Sequence, residues 1–332
     1  MCFTNLPMRY RILELLYTNQ GKYVSGQMIC DELDVSRTAV WKHVNMLRDE
    51  GYEITSSGGH GYSLGETKDI LNSYEIGRRI GFSIPVYFFD SLDSTNNKAK
   101  EIAATEKSST SLVVCSRQEG GRGRMGRIFE SANDKGAWCS FILKPEMDPE
   151  KALLITVAAA VAVAGTIEEA YGIKAGIKWP NDIIIDDRKV CGILTEMNCE
   201  TNVINYIVLG IGINLLQEKE DFTDDVSMIA GSMYGITGLR VPRSEIIASL
   251  CYNIQEVYRL VLNDEADKIL ELWNEYNITD GREIVIIRNG ESMEAKAIGI
   301  TRKGSLVARS ADGGMNEYNS GEISIRRIQD IN

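Results

Sequence analysis

The chain's 332 residues carry a formal net charge of −11; 44% are hydrophobic and 25% charged, an ordinary globular composition with length for two domains or three small ones. The acidic balance argues against binding nucleic acid over the whole surface, but it leaves room for a local basic element. Seven scattered cysteines without a Cys-x-x-Cys pair, and only two histidines, argue against a disulfide framework, a zinc site or a histidine-rich metal centre, and fit a reducing cytoplasm.

Met1–Arg9 lacks a charged start followed by an apolar core, so no secretory leader is expected there. Met8–Thr18 spaces Ile12, Leu13, Leu15 and Leu16 as a helix does. Ser25 can cap a second helix to Leu33. After the short Asp34-Val35 turn, Ser36 can cap a third through Arg48, with Ala39, Val40, Val44 and Leu47 on one face. Gly51 stops it, and Tyr52–Leu64 reads as strand, glycine turn and strand. Three helices and a hairpin make a winged helix-turn-helix. Ser36, Arg37, Thr38, Lys42, His43 and Arg48 include no acid before Asp49, while Glu14, Asp31, Glu32 and Asp34 lie on the earlier helices and the turn. Positive charge thus collects where a recognition helix would enter the major groove, its first residues at base edges and its basic side chains on phosphates. His60, in the wing, could reach an adjacent phosphate. The alternative is a winged helix used only for protein contacts, with His43 an ordinary exposed residue.

Glu66–Ile70 reads as a linker, followed by a helix capped by Ser73 through Arg79 and an apolar strand run at Tyr87–Phe89. Asp93-Ser94-Thr95-Asn96 opens a helical pattern over Lys98–Ala104, with Asp93 or Ser94 as cap. A strand at Ser111–Gln118 then leads to Gly121-Arg122-Gly123-Arg124-Met125-Gly126-Arg127, which fits Gly-x-Gly-x-x-Gly. No amphipathic helix comes after it: Ile128–Lys135 is short and polar, Asn133–Gly136 signals a turn, and Ala137–Leu143 is another strand. Without a helix N-terminus a dinucleotide-binding fold loses its anion site. What remains is a glycine-loosened loop with three arginines within six positions. It can close over a phosphate-bearing ligand through guanidinium forks, or be a solvated basic turn.

Ala152–Ile167 is apolar but shorter than a membrane span and is flanked by Lys151 and Glu168, which suits a helix buried against a sheet, so no membrane association is expected. Lys178-Trp179-Pro180-Asn181-Asp182 leads into a hairpin of Ile183–Ile185, a turn at Asp186–Lys189 and Val190–Glu196, with Lys178 at its start. Leu209–Leu215 is a strand ending near Asn214. The acids of Glu218–Asp225 lack calcium-loop spacing and read as a solvated, mobile loop. From about Thr279, short strands at Glu283–Arg288, Glu294–Ile300, Ser305–Arg309 and Glu322–Arg327 suggest a small β-barrel.

The Ser-Thr-Asn triplet, the glycine-arginine loop and Lys-Trp-Pro-Asn-Asp, in this order and with these gaps, resemble the biotin–protein ligases. With the N-terminal helices, the chain resembles their bifunctional kind, the biotin operon repressors, over nearly its whole length. The resemblance implies an α/β (α+β mixed-sheet) catalytic domain at 66–276, between a winged helix-turn-helix DNA-binding domain at 1–65 and a C-terminal SH3-like β-barrel at 277–332. It implies a ligase that uses ATP, with Mg2+ arriving on the nucleotide, to form biotinyl-5'-AMP. Biotin then passes to a lysine of the biotin carboxyl carrier protein subunit of acetyl-CoA carboxylase. It also implies a repressor with biotinyl-5'-AMP as corepressor, binding operator DNA as a homodimer when loaded.

By the same resemblance Lys178, Arg124 and Arg122 carry catalysis. Ser94, Thr95, Asn96, Gln118, Gly121, Gly123 and Gly192 join them around biotin, whose ureido ring needs several donors and acceptors when buried. Arg124, Phe129, Asn181, Asn214 and Arg326 face the nucleotide, and Glu322 lies in the same C-terminal stretch. Met125 stands where an arginine is common in relatives and Phe129 where a tryptophan can stack on adenine, so local charge and nucleotide affinity can differ. Two readings compete. A ligand-sensing transcription factor without catalysis would not need Lys178 and a phosphate clamp. A lipoate or octanoate ligase would generally lack the N-terminal domain and would not suit the polar triplet.

Overall fold

The computed structural model describes residues 6–66, 68–288, 291–319 and 324–327. The chain divides into two compact units, one of 1–83 with 242–245 and one of 84–241 with 246–332.

The first unit begins with α1 (Met8–Thr18), α2 (Gly26–Leu33), α3 (Arg37–Asp49) and the antiparallel pair β1 (Ile54–Ser57) and β2 (Gly61–Leu64). It is the winged helix that the sequence predicts. Ser25 and Ser36 cap as expected, their hydroxyls accepting from Met28 N at 3.0 Å and Ala39 N at 3.2 Å. Ile12, Leu13, Leu16, Ile29, Val40, Val44, Leu47 and Leu64 fill one core. Gly61 is needed where it stands: φ is +105°, and a Cβ would fall on the Val24 carbonyl, which accepts from Tyr62 N.

The unit continues past residue 65, so the Glu66–Ile70 linker lies inside it. α4 (Ser73–Arg79) is capped by Asn72 rather than by Ser73, because Asn72 Oδ1 is the atom that reaches Glu75 N, at 2.8 Å. Tyr74 stacks on Tyr10 with ring centroids 4.5 Å apart and donates to Glu14 at 2.8 Å. Glu75 is fully buried; its carboxylate accepts from Tyr17 at 2.9 Å and Tyr52 at 3.0 Å and pairs with Arg78 and Arg79. Burial beside this carboxylate pushes the Tyr52 hydroxyl well above the usual tyrosine range.

The second unit is built on a seven-stranded sheet of order β3-β4-β5-β9-β8-β7-β6, with β3 (Val86–Leu92) parallel to β4 (Thr110–Gln118). The other pairs are antiparallel: β5 (Gly136–Leu143), β6 (Gly176–Lys178), β7 (Asp182–Ile185), β8 (Arg188–Glu200) and β9 (Val203–Asn214). Alternation separates two faces. One carries Cys191, Ile193, Leu209, Ile211 and Ile213, and α6 (Ala152–Tyr171), buried along most of its length, lies there with Thr156 Oγ1 2.7 Å from Thr195 Oγ1. The other carries α5 (Thr95–Ala103), whose Ala99 and Ala103 pack on Val113, Ile142 and Val208.

After β9 come α7 (Asp224–Ser227), α8 (Met233–Thr237), α9 (Arg243–Leu262) and α10 (Ala266–Tyr276). The acidic run is thus partly helical, with a short 3-10 turn at Lys219–Asp221, instead of the open loop that the sequence suggests. The chain ends in a five-stranded antiparallel sheet of order β13-β12-β11-β10-β14. Its strands are β10 (Glu283–Arg288), β11 (Glu291–Ile300), β12 (Leu306–Ser310), β13 (Met315–Tyr318) and β14 (Ser324–Arg327). Among the described residues no pairing closes β13 onto β14.

Glu75→Ala should cost about 3 kcal/mol, because it strands two arginines and two tyrosine hydroxyls, whereas Glu75→Gln keeps an acceptor and should cost less. Urea unfolding read through the first unit's tyrosines measures both.

Candidate active site

The site grows from one row of missing side chains. On the face that carries α5, Gly192 of β8 pairs with Gly212 of β9, and Gly212 with Trp138 of β5. The next row is Leu194, Gly210 and Ser140. A Cβ on Gly210 would fall on the Asn96 amide oxygen. A Cβ on Gly212 would lie 2.8 Å from the Phe129 ring, and one on Gly192 3.0 Å from it. Asn96 and Phe129 therefore lie directly on bare backbone, and Phe129 also meets Trp138 edge-on with ring centroids 5.9 Å apart.

Around Asn96 the structure gathers a buried polar cradle. Ser94, Thr95, Asn96, Gln118, Ser131 and Ser140 are all buried. Gln118 Oε1 accepts from Thr95 N at 2.8 Å and Thr95 Oγ1 at 3.0 Å, and Gln118 Nε2 donates to Ser131 Oγ at 3.0 Å. Ser140 Oγ is 2.6 Å from Asn96 Oδ1 and 2.8 Å from Thr95 Oγ1. Asn96 Nδ2 donates to Glu196 Oε2 at 2.8 Å, and Lys100 closes on Glu196 Oε1 at 2.6 Å. Neither expected cap serves α5. Ser94 is the first flanking residue but makes no side-chain capping bond, and Asp93 accepts from Asn97 instead. Gln118, from the end of β4, takes the Thr95 N–H in its place.

A second cluster lies farther along β8. Lys178 is the last residue of β6, not the start of the following hairpin, and it pairs in register with Asp182 across the Trp179–Asn181 turn. That turn is fastened: Trp179 N donates to Thr279 Oγ1 at 2.9 Å, and Trp179 Nε1 to the Gly304 carbonyl at 2.8 Å. Asn181 is buried, donating to the Ile193 carbonyl at 2.9 Å and accepting from Arg124 Nη1 at 2.9 Å. Burial lowers the Arg124 guanidinium below its usual range, opposed by Asp182 and abetted by Arg127. An arginine starts high enough to stay charged. Asp182 pairs with Lys189 at 2.6 Å. Lys178, half-buried, thus shares one tight turn with the residues that hold Arg124.

The glycine-arginine loop leaves β4, makes a 3-10 turn at Arg124–Gly126 and returns with Phe129 N donating to Gly121 O at 2.9 Å. No helix follows it before β5, as the sequence predicts. Gly121 has no room for a Cβ beside Ser131 and the Phe129 carbonyl, while Gly123 does. Arg122 is exposed and near Asp93, apart from the Arg124–Asn181 pair. Asn214 ends β9 and donates to Gly231 O at 3.0 Å, its Oδ1 lacking a protein partner. Arg326 lies in β14 opposite Val285, but its side chain and the whole of Glu322 lie outside the described residues. Among the described residues no three His, Cys, Asp or Glu side chains group as a metal site.

Sequence reasoning missed Ser131, Ser140, Glu196, Gly210 and Gly212. The alternation Leu209-Gly210-Ile211-Gly212-Ile213-Asn214 was the available signal: apolar residues to one face, glycine and asparagine to the other.

On the winged helix, Arg37, Thr38, Trp41 and Lys42 are exposed along α3, and Trp41, at 59%, was not singled out from the sequence. Ser36 is spent on its cap, and Arg37 donates to Gln27 Oε1 at 2.9 Å. His43 does not join this face. It is half-buried, burial and the nearby Lys42 and Arg9 lower its pKa, and helical geometry turns it to the opposite side. His60 is exposed in the wing, 6.2 Å from the Tyr23 ring.

A mixed sheet with a polar cradle, a lysine–arginine corner and an arginine loop, in a chain that also carries a winged helix, suits a DNA-binding protein that holds a small anionic ligand. Known proteins narrow this. Residues 88–214 match the biotin/lipoate A/B protein ligase family, 9–63 an HTH domain and 280–326 the biotin protein ligase C terminal domain. The chain is 37% identical to the bifunctional ligase/repressor BirA of Bacillus subtilis over 92% of its own length and 95% of that protein's. Against the BirA of Escherichia coli it is 28% identical over 93% and 95%. The Aquifex aeolicus biotin protein ligase, solved in complex with biotin and ATP, superposes with a TM-score of 0.62 at 25% identity, covering 73% of this chain and 99% of that one. The chain belongs to the BirA family of bifunctional biotin ligase/repressors.

Gly210→Ala should displace Asn96 from the cradle and cost about 1–3 kcal/mol, as overpacking of a filled site does. Ala at the exposed Gly58, which has open space around it, serves as control in the same thermal-unfolding series.

Proposed function

We propose that the protein is an ATP-dependent biotin–[acetyl-CoA-carboxylase] ligase and a biotin-responsive repressor. One observation carries the reading: the polar cradle and the Lys178–Arg124 corner stand along a single strand, β8, with Asn96 bonded to Leu194 O and Asn181 to Ile193 O. A ureido ring offers two N–H donors and a carbonyl, which a cradle of hydroxyls and amides can match. A dithiolane or an alkyl chain offers such a cradle no donor or acceptor to match.

Biotin held there would extend its carboxylate toward the charged corner. A carboxylate oxygen attacks the α-phosphorus of ATP, a P–O bond forms, and pyrophosphate leaves. The ε-amine of the acceptor lysine then attacks the acyl carbon, the amide C–N bond forms, the amine loses a proton, and AMP departs with the acyl C–O bond. Both steps concentrate negative charge, so fixed cations supply most of the acceleration. Lys178 and Arg124 are the groups suited to it, with Arg122 closing from the loop. Phe129 and Asn214 suit the adenine. Mg2+ would come with the ATP phosphates, since such ions keep most of their shell from substrate and water. The acceptor is the biotin carboxyl carrier protein.

For repression, Thr38 and Arg37 suit base edges, Lys42 and His60 phosphates, and Trp41 the methyl group of a thymine. Loading with biotinyl-5'-AMP would favour a homodimer that sets two such helices on a two-fold operator.

ATP–pyrophosphate exchange tests the ligase. Exchange should require biotin, fail with lipoate or octanoate, and fall about 100-fold or more in Lys178→Ala. Exchange with lipoate alone would move the protein to the sister activity, and none with biotin would leave a sensor without catalysis. In operator titrations Lys42→Ala should reduce the salt slope by about one and Trp41→Ala should weaken binding about tenfold at one base position. His43→Ala should change neither.

A further inference from the structure

Two segments that lie far apart in sequence are fastened together beside the site. The arginine loop returns to the sheet through Phe129, Glu130 and Ser131, and the acidic segment runs from Gln217 into α7. Glu130 spans 93 positions to accept from the Thr223 backbone N–H at 3.0 Å, and it accepts from the Thr223 hydroxyl as well. Thr223 directly precedes α7, and its side chain caps nothing within that helix. A second tie lies beside the first: Lys135 Nζ pairs with Asp221 at 2.6 Å, and Leu216 N donates to the Lys135 carbonyl at 2.7 Å. Asp221 in turn accepts from Glu218 N at 2.7 Å.

The charge makes these ties informative. Glu218, Glu220, Asp221, Asp224 and Asp225 stand next to a site that must accept phosphates, yet the segment is folded against the loop instead of being repelled into solvent. Apolar packing does not hold the loop tip, where Met125 is 72% and Ile128 83% exposed. Phe129 and the Arg124–Asn181 bond hold the loop to the sheet, and the polar ties at Glu130 and Lys135 join its return to the acidic segment. Glu130 also neighbours Phe129, the ring that lies on Gly192 and Gly212.

We propose that Glu130 is a positioning residue that latches the arginine loop to the 217–227 segment, so that both open and close over the nucleotide as one lid. A bound acyl-adenylate escapes only when the two release together. This rests on the ligase reading, and Glu130 acts through the loops without touching the substrate.

The test loads the full-length protein with radiolabelled biotinyl-5'-AMP and follows its release after dilution, alongside amide hydrogen exchange of the unliganded protein. Glu130→Ala should speed release about three- to tenfold, the range for one half-exposed charge-assisted tie. Thr223→Ser keeps both donors and should release as the parent does. Glu130→Ala with Thr223→Val should be no faster than Glu130→Ala alone, because both break one interaction. In hydrogen exchange, Glu130→Ala should deprotect 223–227 as well as 121–131. Unchanged release, or single effects that multiply in the double variant, would overturn the latch. If the parent forms no adenylate, the ligase reading fails by itself and hydrogen exchange still decides: protection at 223–227 lost on Glu130→Ala upholds the latch, and unchanged protection overturns it.

Discussion

The close approach of side chains to bare backbone on β8 and β9 is the constraint on which the rest of the site depends. Gly192, Gly210 and Gly212 weaken their strands, since glycine loses more freedom on folding and packs nothing. The opposite face offsets that weakness with Ile193, Leu209, Ile211 and Ile213 buried under α6. One face thus supplies cohesion and the other supplies space. Into that space come Asn96, from the start of a helix, and Phe129, from the end of a loop. Neither could sit there over an ordinary β-branched strand.

Rigidity is graded across the site. The cradle is held by hydrogen bonds among buried groups, where each partner lost leaves another unsatisfied, and this favours one geometry. The Lys178 turn is pinned through Trp179 by Thr279, ahead of β10, and by the Gly304 carbonyl, between β11 and β12. The arginine loop and the acidic segment are joined to each other by polar ties at solvent-facing residues, which break and reform at little cost. On the proposed reading this grading would give the acyl group a fixed floor and the nucleotide a cover that can lift.

The first unit solves a different problem. Glu75 draws Tyr17 from α1, Tyr52 from the segment after α3 and two arginines of α4 onto one buried carboxylate, so the helix after the wing is part of the DNA-reading unit and no mere tether. The polar hub sets the helix in one register where a purely apolar interface would tolerate sliding.

The sequence by itself determined what is decided within a few residues. The Ser25 and Ser36 caps, the winged-helix pattern, the buried alanine-rich helix and the absence of a helix behind the glycine-arginine loop were all legible, because caps, turns and periodicity act locally. The position of His43 behind α3 also follows from the 100° step per residue along that helix. The three motifs named residues that the fold gathers into the polar cradle and the Lys178–Asn181 turn. Only the tertiary structure decided that Lys178 closes β6, that Asn72 and Gln118 cap the helices assigned to nearer residues, and that Ser131, Ser140 and Glu196 complete the cradle. Strand order sets these pairings. Asn96 meets Glu196 across 100 positions and Trp179 meets Thr279 across another 100, and no local propensity encodes which strands become neighbours.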